Sequence, residues 1–176
     1  MRFERKYKTE TLALALVEQT IKLHPAGFRK IYPDRQVNNI YFDTADYTTY
    51  QENVIGIAAR KKFRVRWYGT ILEEIQSPVF EIKIKQNQLG DKISNKINDF
   101  KFSELKCVTK EIQLLAKARL PLQPTLLNTY ERSYFGTMDG KFRVTIDRKM
   151  RFAPILLYEH FKPYLVDNEG VVVELK

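Results

Sequence analysis

Lys62-Phe63-Arg64-Val65-Arg66-Trp67 places a cation on every second residue and an aromatic or branched apolar side chain between them. Successive side chains of a β-strand point to opposite faces, so this stretch reads as a strand with one apolar and one ionic face. The alternation recurs at Arg2/Glu4/Lys6, Glu81/Lys83/Lys85, Arg143/Thr145/Asp147 and Glu174/Lys176. A weaker instance lies at Arg132/Tyr134, and Lys141 extends the Arg143 run. On any single strand, a sheet with one face in water accounts for such a pattern. The strands taken together go further, because the ionic positions favour arginine and recur at both ends of the chain.

The segments between complete an α+β pattern with a mainly antiparallel sheet. Thr9 or Thr11 can cap a helix running to about Leu23, with Leu12, Leu16, Val17 and Ile21 on one face and His24-Pro25-Ala26-Gly27 closing it. Val37 to Phe42 reads as a strand, after which Asp43-Thr44-Ala45-Asp46 starts a turn or short helix capped by Asp43 or Thr44. Val54 to Trp67 reads as extended, Val79 to Lys85 as a strand, and Gln86 to Ile97 as a polar loop. Ser103 to Leu120 is the second helix, with Leu105, Val108, Ile112 and Leu115 at helical spacing and Pro121 and Pro124 beyond it. Leu126 to Gly136 and Lys141 to Asp147 form a hairpin around Met138-Asp139-Gly140, and the last strand follows Asn168-Glu169-Gly170. With no repeat or linker to divide it, the chain of 176 residues reads as one domain, 1–176.

Thirty Lys and Arg against 21 Asp and Glu give a net charge of +9, which favours a polyanionic partner. The lone Cys107 excludes an intramolecular disulfide framework, and with His24 and His160 it makes no zinc cluster, so a reducing, cytoplasmic setting is expected. No signal core follows the polar start, and no apolar run approaches the ~20 residues of a spanning helix. The pattern stops at Lys176 within a strand and without a terminating turn, which suggests a chain cut short.

If the strands close into a barrel of about eight with the ionic face inside, the interior is just wide enough for side chains and one slim ligand. Its bases are Arg2, Lys6, Lys62, Arg64, Arg66, Lys83, Lys85, Arg143 and Lys176, and its acids Glu4, Glu81, Asp147 and Glu174. Unpaired charge costs several kcal/mol per group in such a place, so this excess of cations calls for an anion. A linear phosphate chain neutralises it. Arg64 and Arg66, about 6.6 Å apart along a strand, suit successive phosphoryl groups. Carboxylates facing phosphate need a divalent cation between them, Mg²⁺ or Mn²⁺, and Glu4 and Glu174 are the best candidates to hold it. A channel one phosphate chain wide excludes bases, so nucleic acid is not expected despite the charge.

Arg2-Phe3-Glu4-Arg5-Lys6-Tyr7, Asn39-Ile40-Tyr41-Phe42-Asp43-Thr44, Lys62 to Gly69, Glu81-Ile82-Lys83-Ile84-Lys85, Tyr130-Glu131-Arg132-Ser133-Tyr134, Arg143-Val144-Thr145-Ile146-Asp147 and Glu174-Leu175-Lys176 stand in the order seen in VTC-type polyphosphate polymerase domains. The chain thus resembles the triphosphate tunnel metalloenzyme (CYTH-like) superfamily. The resemblance implies a closed antiparallel barrel forming a tunnel, helices packed outside it, and transfer of the terminal phosphoryl group of ATP to polyphosphate. Lys6, Arg64, Arg66, Lys83, Arg132, Arg143 and Lys176 fall on the family's phosphate-binding positions and Glu174 on its metal position, with Glu4 a second ligand. Of these, Lys6, Arg64 and Arg66 are taken as the catalytic group; Lys62 and Lys85 join the others in binding substrate.

Two departures from the family pattern matter. Arg2 stands where the hydrolytic CYTH members have the first glutamate of Glu-x-Glu-x-Lys, which favours the polymerase branch over a tripolyphosphate or nucleoside triphosphate hydrolase. VTC domains also continue into a basic helical tail that this chain lacks, which leaves open a non-catalytic module binding polyphosphate, tripolyphosphate or inositol polyphosphate. The eukaryotic relatives work within a membrane complex, whereas this chain has no spanning segment of its own. Elsewhere, Tyr41 and Asp43 read as structural, Trp67 as packing outside the barrel, and His24 and His160 as turn or surface residues. Arg60, Lys61 and the run Lys92, Lys96 and Lys101 read as solvated charge.

Overall fold

A computed structural model describes residues 4–10, 13–71, 74–87, 89–155 and 165–176. Its strands are β1 (Arg5–Glu10), β2 (Arg29–Asp43), β3 (Ala59–Tyr68), β4 (Glu74–Ile75), β5 (Val79–Gln86), β6 (Leu89–Lys96), β7 (Phe100–Lys101), β8 (Gln123–Gly136), β9 (Arg143–Pro154), β10 (Val166–Asn168) and β11 (Gly170–Leu175). The helices are α1 (Leu14–Leu23), α2 (Thr48–Ile55) and α3 (Leu105–Ala116). One antiparallel sheet runs in the order β1-β11-β9-β8-β2-β3-β5-β6, with β10 joined to β9, while β4 and β7 pair apart from it. The sheet therefore carries both chain ends near one edge, β1 being hydrogen-bonded to β11 in register Lys6 to Glu174.

The apolar residues of the alternating strands form the core on one side of this sheet. Ile40, Phe42, Phe63, Val65, Trp67, Phe80, Ile82 and Leu127 pack with Leu105, Val108, Ile112 and Ala116 of α3. Phe135, Val144, Ile146 and Val171 pack with Phe28 and with Leu14, Val17 and Ile21 of α1. Both helices thus cover the same face, as their 3.6-residue apolar periodicity requires once a sheet face is on offer. Trp67, only 1% exposed, lies in this outer layer as expected, with its indole N–H donating to the Thr70 carbonyl at 2.8 Å.

The opposite face is concave. Lys83, on β5 near one edge of the strand order, has its ammonium 3.1 Å from Glu4, the residue before β1 at the other edge. A flat sheet of eight strands at about 4.8 Å spacing keeps such residues far apart, so the contact measures how far the sheet curls. Among the described residues the hydrogen-bonded path runs from β1 to β6 without a ladder joining the two, so backbone closure of the barrel is not part of the observed topology.

Several sequence expectations are corrected here. The stretch read as extended from Val54 begins in α2, and the strand starts only at Ala59. Asp43 accepts from the backbone N–H groups of Thr44, Thr49 and Tyr50 at 2.8 to 2.9 Å, and Gly56 closes the helix at φ +82°, a conformation glycine adopts without strain. The polar loop of Gln86 to Ile97 contains β6, paired residue for residue with β5. Its charge suits a strand at the end of the path, which is blunted against pairing with other chains. The first helix starts at Leu14, and Thr9 belongs to β1; Arg2, Thr11, Leu12 and His160 lie outside the described residues. The second helix stops at Ala116, where Lys117 turns left-handed at φ +46°, ahead of Pro121. Among the described residues no helix is long and apolar enough to cross a membrane.

Candidate functional site

Register carries the ionic positions onto one wall. Lys62, Arg64 and Arg66 of β3 stand beside Lys83, Glu81 and Val79 of β5 on one side, and Arg64 and Arg66 beside Tyr41 and Asn39 of β2 on the other. Asn39 adjoins Asn128 of β8, Arg132 adjoins Asp147 of β9, Thr145 adjoins Glu174 of β11, and Glu174 adjoins Lys6 of β1. Each of these residues is two, four or six places from the next along its strand, so all point into the concavity.

Within it, the cations are fixed unequally. Glu81, 4% exposed, accepts from Arg64 Nε at 2.6 Å and from Lys92 Nζ at 2.8 Å, with Arg66 4.0 Å away. Its burial works to raise the carboxyl, but Arg64, Lys92 and Arg66 outweigh that and hold it at about 2. Arg66 donates to Asn39 Oδ1 at 2.9 Å and to the Tyr130 hydroxyl at 3.1 Å. Arg132 forms a two-pronged bridge to Asp147 at 2.5 and 2.7 Å, which raises its already high pKa against the opposing effect of burial. These neutral and acidic partners aim the guanidinium groups.

The lysines crowd one another. Desolvation and the like charge of Lys83 lower the Lys6 ammonium, and desolvation lowers those of Lys62 and Lys176. A lowered lysine is the mark of cations held close together without enough anion. Tyr41 is depressed too, because Arg64, Arg66 and Lys62 overcome the burial that would raise it.

Two carboxylates share one ammonium. Lys176 Nζ lies 3.3 Å from Glu4 Oε1 and 3.0 Å from Glu174 Oε2, and Lys6 Nζ lies 3.3 Å from the other oxygen of Glu174. Among the described residues, Glu4 Oε1 and the hydroxyl of Thr145, next to Glu174 in register, are buried without a hydrogen-bond partner. Oxygen donors of this kind, two of them anionic and converging on a cation, fit Mg²⁺ or Mn²⁺, which needs few protein ligands when phosphate supplies the rest. No group of three or more His, Cys, Asp or Glu converges among the described residues.

Of the residues singled out by sequence, Lys6, Lys62, Arg64, Arg66, Lys83, Arg132, Lys176, Glu4 and Glu174 come together in the concavity. Lys85 and Arg143 share its parity but stand at strand ends. Lys85 adjoins Arg60 at an outer cleft with Lys117 and Arg119, and Arg143 is tied to Lys176 through backbone hydrogen bonds of 2.8 and 2.9 Å. Sequence reasoning missed Lys92, assigned to a solvated loop, and Tyr41, read as structural although it faces the cations beside Arg64. It also missed Asn39, Asn128, Tyr130 and Arg35. Arg35, opposite Arg132 in register, lies 5.0 to 5.9 Å from the ring centres of Tyr32, Tyr68 and Tyr134. The period of two through Asn128, Tyr130, Arg132 and Tyr134 was the signal that could have found several of them. His24 sits in the turn after α1, its Nδ1 accepting from Ala26 N–H at 3.1 Å, as expected.

The fold and this wall define a curled antiparallel sheet with a cation-rich concave face, the architecture of the CYTH-like tunnel proteins. The chain belongs to the VTC domain family, whose model matches residues 1–176. No curated protein matches its sequence. Among solved structures it is similar to a putative adenylate cyclase from Vibrio parahaemolyticus, at 13% identity and TM-score 0.53, over 98% of this chain and 75% of that one. A putative adenylate cyclase from Bacillus halodurans aligns at 12% identity and TM-score 0.52, over 99% and 79%. A putative adenylyl cyclase from Hippeastrum with a dominant triphosphatase activity aligns at 13% identity and TM-score 0.52, also over 99% and 79%. At these identities the likeness is one of fold.

Proposed function

We propose that the chain is a metal-dependent phosphotransferase that binds a linear phosphate chain along the concave wall, closed by substrate into a tunnel, and passes the terminal phosphoryl group of ATP to polyphosphate. The single observation that supports this most is the convergence of Lys6, Lys62, Lys83 and Lys176 on one desolvated space, their ammonium groups lowered or sharing too few carboxylates. A bound polyanion relieves that repulsion; a protein without one bears its cost.

Phosphoryl transfer requires alignment and charge neutralisation more than covalent chemistry. Arg64 and Arg66, aimed by Glu81, Asn39 and Tyr130, grip non-bridging oxygens of neighbouring phosphoryl groups and keep donor and acceptor in line. Lys6, Lys83 and Lys176 follow the charge as it moves towards the leaving group. Arg132, braced by Asp147, holds the chain further along the wall. Glu174 and Glu4 would hold Mn²⁺ or Mg²⁺, which supplies charge neutralisation at bridging oxygens. The reducing compartment expected from the lone Cys107 supplies ATP and is the setting proposed.

Purified protein with Mn²⁺ and ATP is expected to give acid-labile chains resolved on a gel, and Arg64→Ala to abolish them. Release of orthophosphate alone identifies a hydrolase, the second reading, which the activity of the Hippeastrum fold relative supports. Tripolyphosphate binding with neither product identifies a binding module.

A further inference from the structure

The concave face is not ionic along its whole length. Beyond Lys62 and Asn128, the same parity continues through Leu126 of β8 and Phe152 and Pro154 of β9, with Val166 of β10 opposite Phe152. These apolar positions, with Tyr47 and Tyr50 from the start of α2, line a cavity of about 890 Å³. Its inner wall is Tyr41, Lys62 and Asn128, so it opens directly onto the phosphate wall. Tyr41 stands beside Arg64 in register, and Asn128 Oδ1 accepts from Asn39, the residue that holds Arg66, at 3.2 Å. One end of the trough is thus basic and the other aromatic, joined by a lysine two residues, about 6.6 Å of strand, from Arg64.

The geometry points to a nucleoside subsite at this aromatic end, making the preferred ligand a nucleoside triphosphate rather than inorganic tripolyphosphate. The inference rests on the phosphate-wall reading above. A ligand with a polyanionic tail and a flat, mostly apolar head has the chemistry of this surface: phosphates on Arg64, Arg66 and Lys83, and the base against Phe152 and Tyr50. The volume falls in the range of small-molecule pockets, and an apolar lining with a few polar groups is their usual composition. Asn128 brings an amide to the junction for a ribose or base oxygen. Tyr50 is 65% exposed and lies outside both core clusters, an unfavourable place for an aromatic ring unless something flat covers it.

The test is calorimetric titration of the full chain with ATP and, separately, with tripolyphosphate, for the native protein, Tyr50→Ala and Phe152→Ala, each checked for an unchanged thermal melt. Stacking on an aromatic ring is worth enough that each variant is expected to weaken ATP about tenfold and leave tripolyphosphate within about twofold. Equal loss of both ligands, or loss of neither, overturns the nucleoside subsite and leaves the phosphate wall standing. Binding of neither ligand by the native protein overturns the phosphate wall itself. Should Phe152→Ala melt early, Tyr50→Ala, on an exposed helix face, decides the question alone.

Discussion

Replacing Glu81 by glutamine removes the one carboxylate that restrains three cations of the concave wall while keeping its size. Its carboxyl is held at about 2 against an ordinary 4.5, and at about 1.4 kcal/mol per unit this corresponds to about 2–3 kcal/mol of stability after allowance for solvent screening. Without it, Arg64, whose side chain is 18% exposed, faces Arg66 and Lys92 uncompensated. Glu81→Gln is therefore expected to lose about 2–3 kcal/mol in urea denaturation at neutral pH without phosphate. With saturating tripolyphosphate the anion takes over the carboxylate's role, and the loss is expected to shrink below about 1 kcal/mol. By the thermodynamic cycle, the variant then binds tripolyphosphate about tenfold tighter or more.

The pH dependence supplies a second check. Because the folded-state pKa is depressed, the Glu81 contribution is complete above about 4.5 and is lost as pH falls towards 2. Asp34, on the convex side, is likewise held at about 2 by Lys30 and Arg148 against its desolvation, but it titrates in both proteins. The difference between the native and variant curves thus isolates Glu81, and it should vanish at the acid end. Equal stability at neutral pH, or weaker tripolyphosphate binding by the variant, refutes the electrostatic account of the wall.

Further outcomes follow from the same geometry. Asp147→Asn breaks the two-pronged bridge to Arg132 and is expected to cost about 2–3 kcal/mol in urea denaturation, recovered in part by tripolyphosphate. Ile112→Ala, which removes a fully buried side chain of α3 from the outer core, is expected to cost about 2–4 kcal/mol while leaving calorimetric tripolyphosphate affinity unchanged. Since Lys6, Lys62 and Lys176 have lowered pKa values, they lose charge before pH reaches the ordinary 10.5; tripolyphosphate affinity should begin to fall below that pH and follow the loss of these ammonium groups.

Much of this wall was legible one strand at a time. The alternation at Lys62/Arg64/Arg66 and Glu81/Lys83/Lys85 gives strand type and face together, because a period of two leaves little other backbone conformation for such a sequence. β6 was not legible: Leu89 to Lys96 is polar on both faces, as suits its place at the end of the strand path, and it reads as loop until β5 pairs with it. Lys92 was lost with it. α2 was hidden for a different reason. None of its residues is buried, so no apolar stripe marks it, and its start depends on Asp43 reaching three backbone N–H groups.

The sequence by itself determined that this chain has strands with an ionic and an apolar face, that cations outnumber acids on the ionic one, and that this surface suits a phosphate chain. Those properties are local, set by side-chain parity and charge. Only the tertiary structure decided that the ionic face is the inner one. α1 and α3 bury the apolar residues on the convex side, and the curl brings Lys83 of β5 to Glu4 at the opposite edge. It alone also decided which acids are spent restraining arginines, Glu81 and Asp147, and which converge on a cation, Glu4 and Glu174. The distinction depends on strand register and curvature, which join residues up to 170 positions apart, as Glu4 and Glu174 are, and which no pattern within one strand encodes.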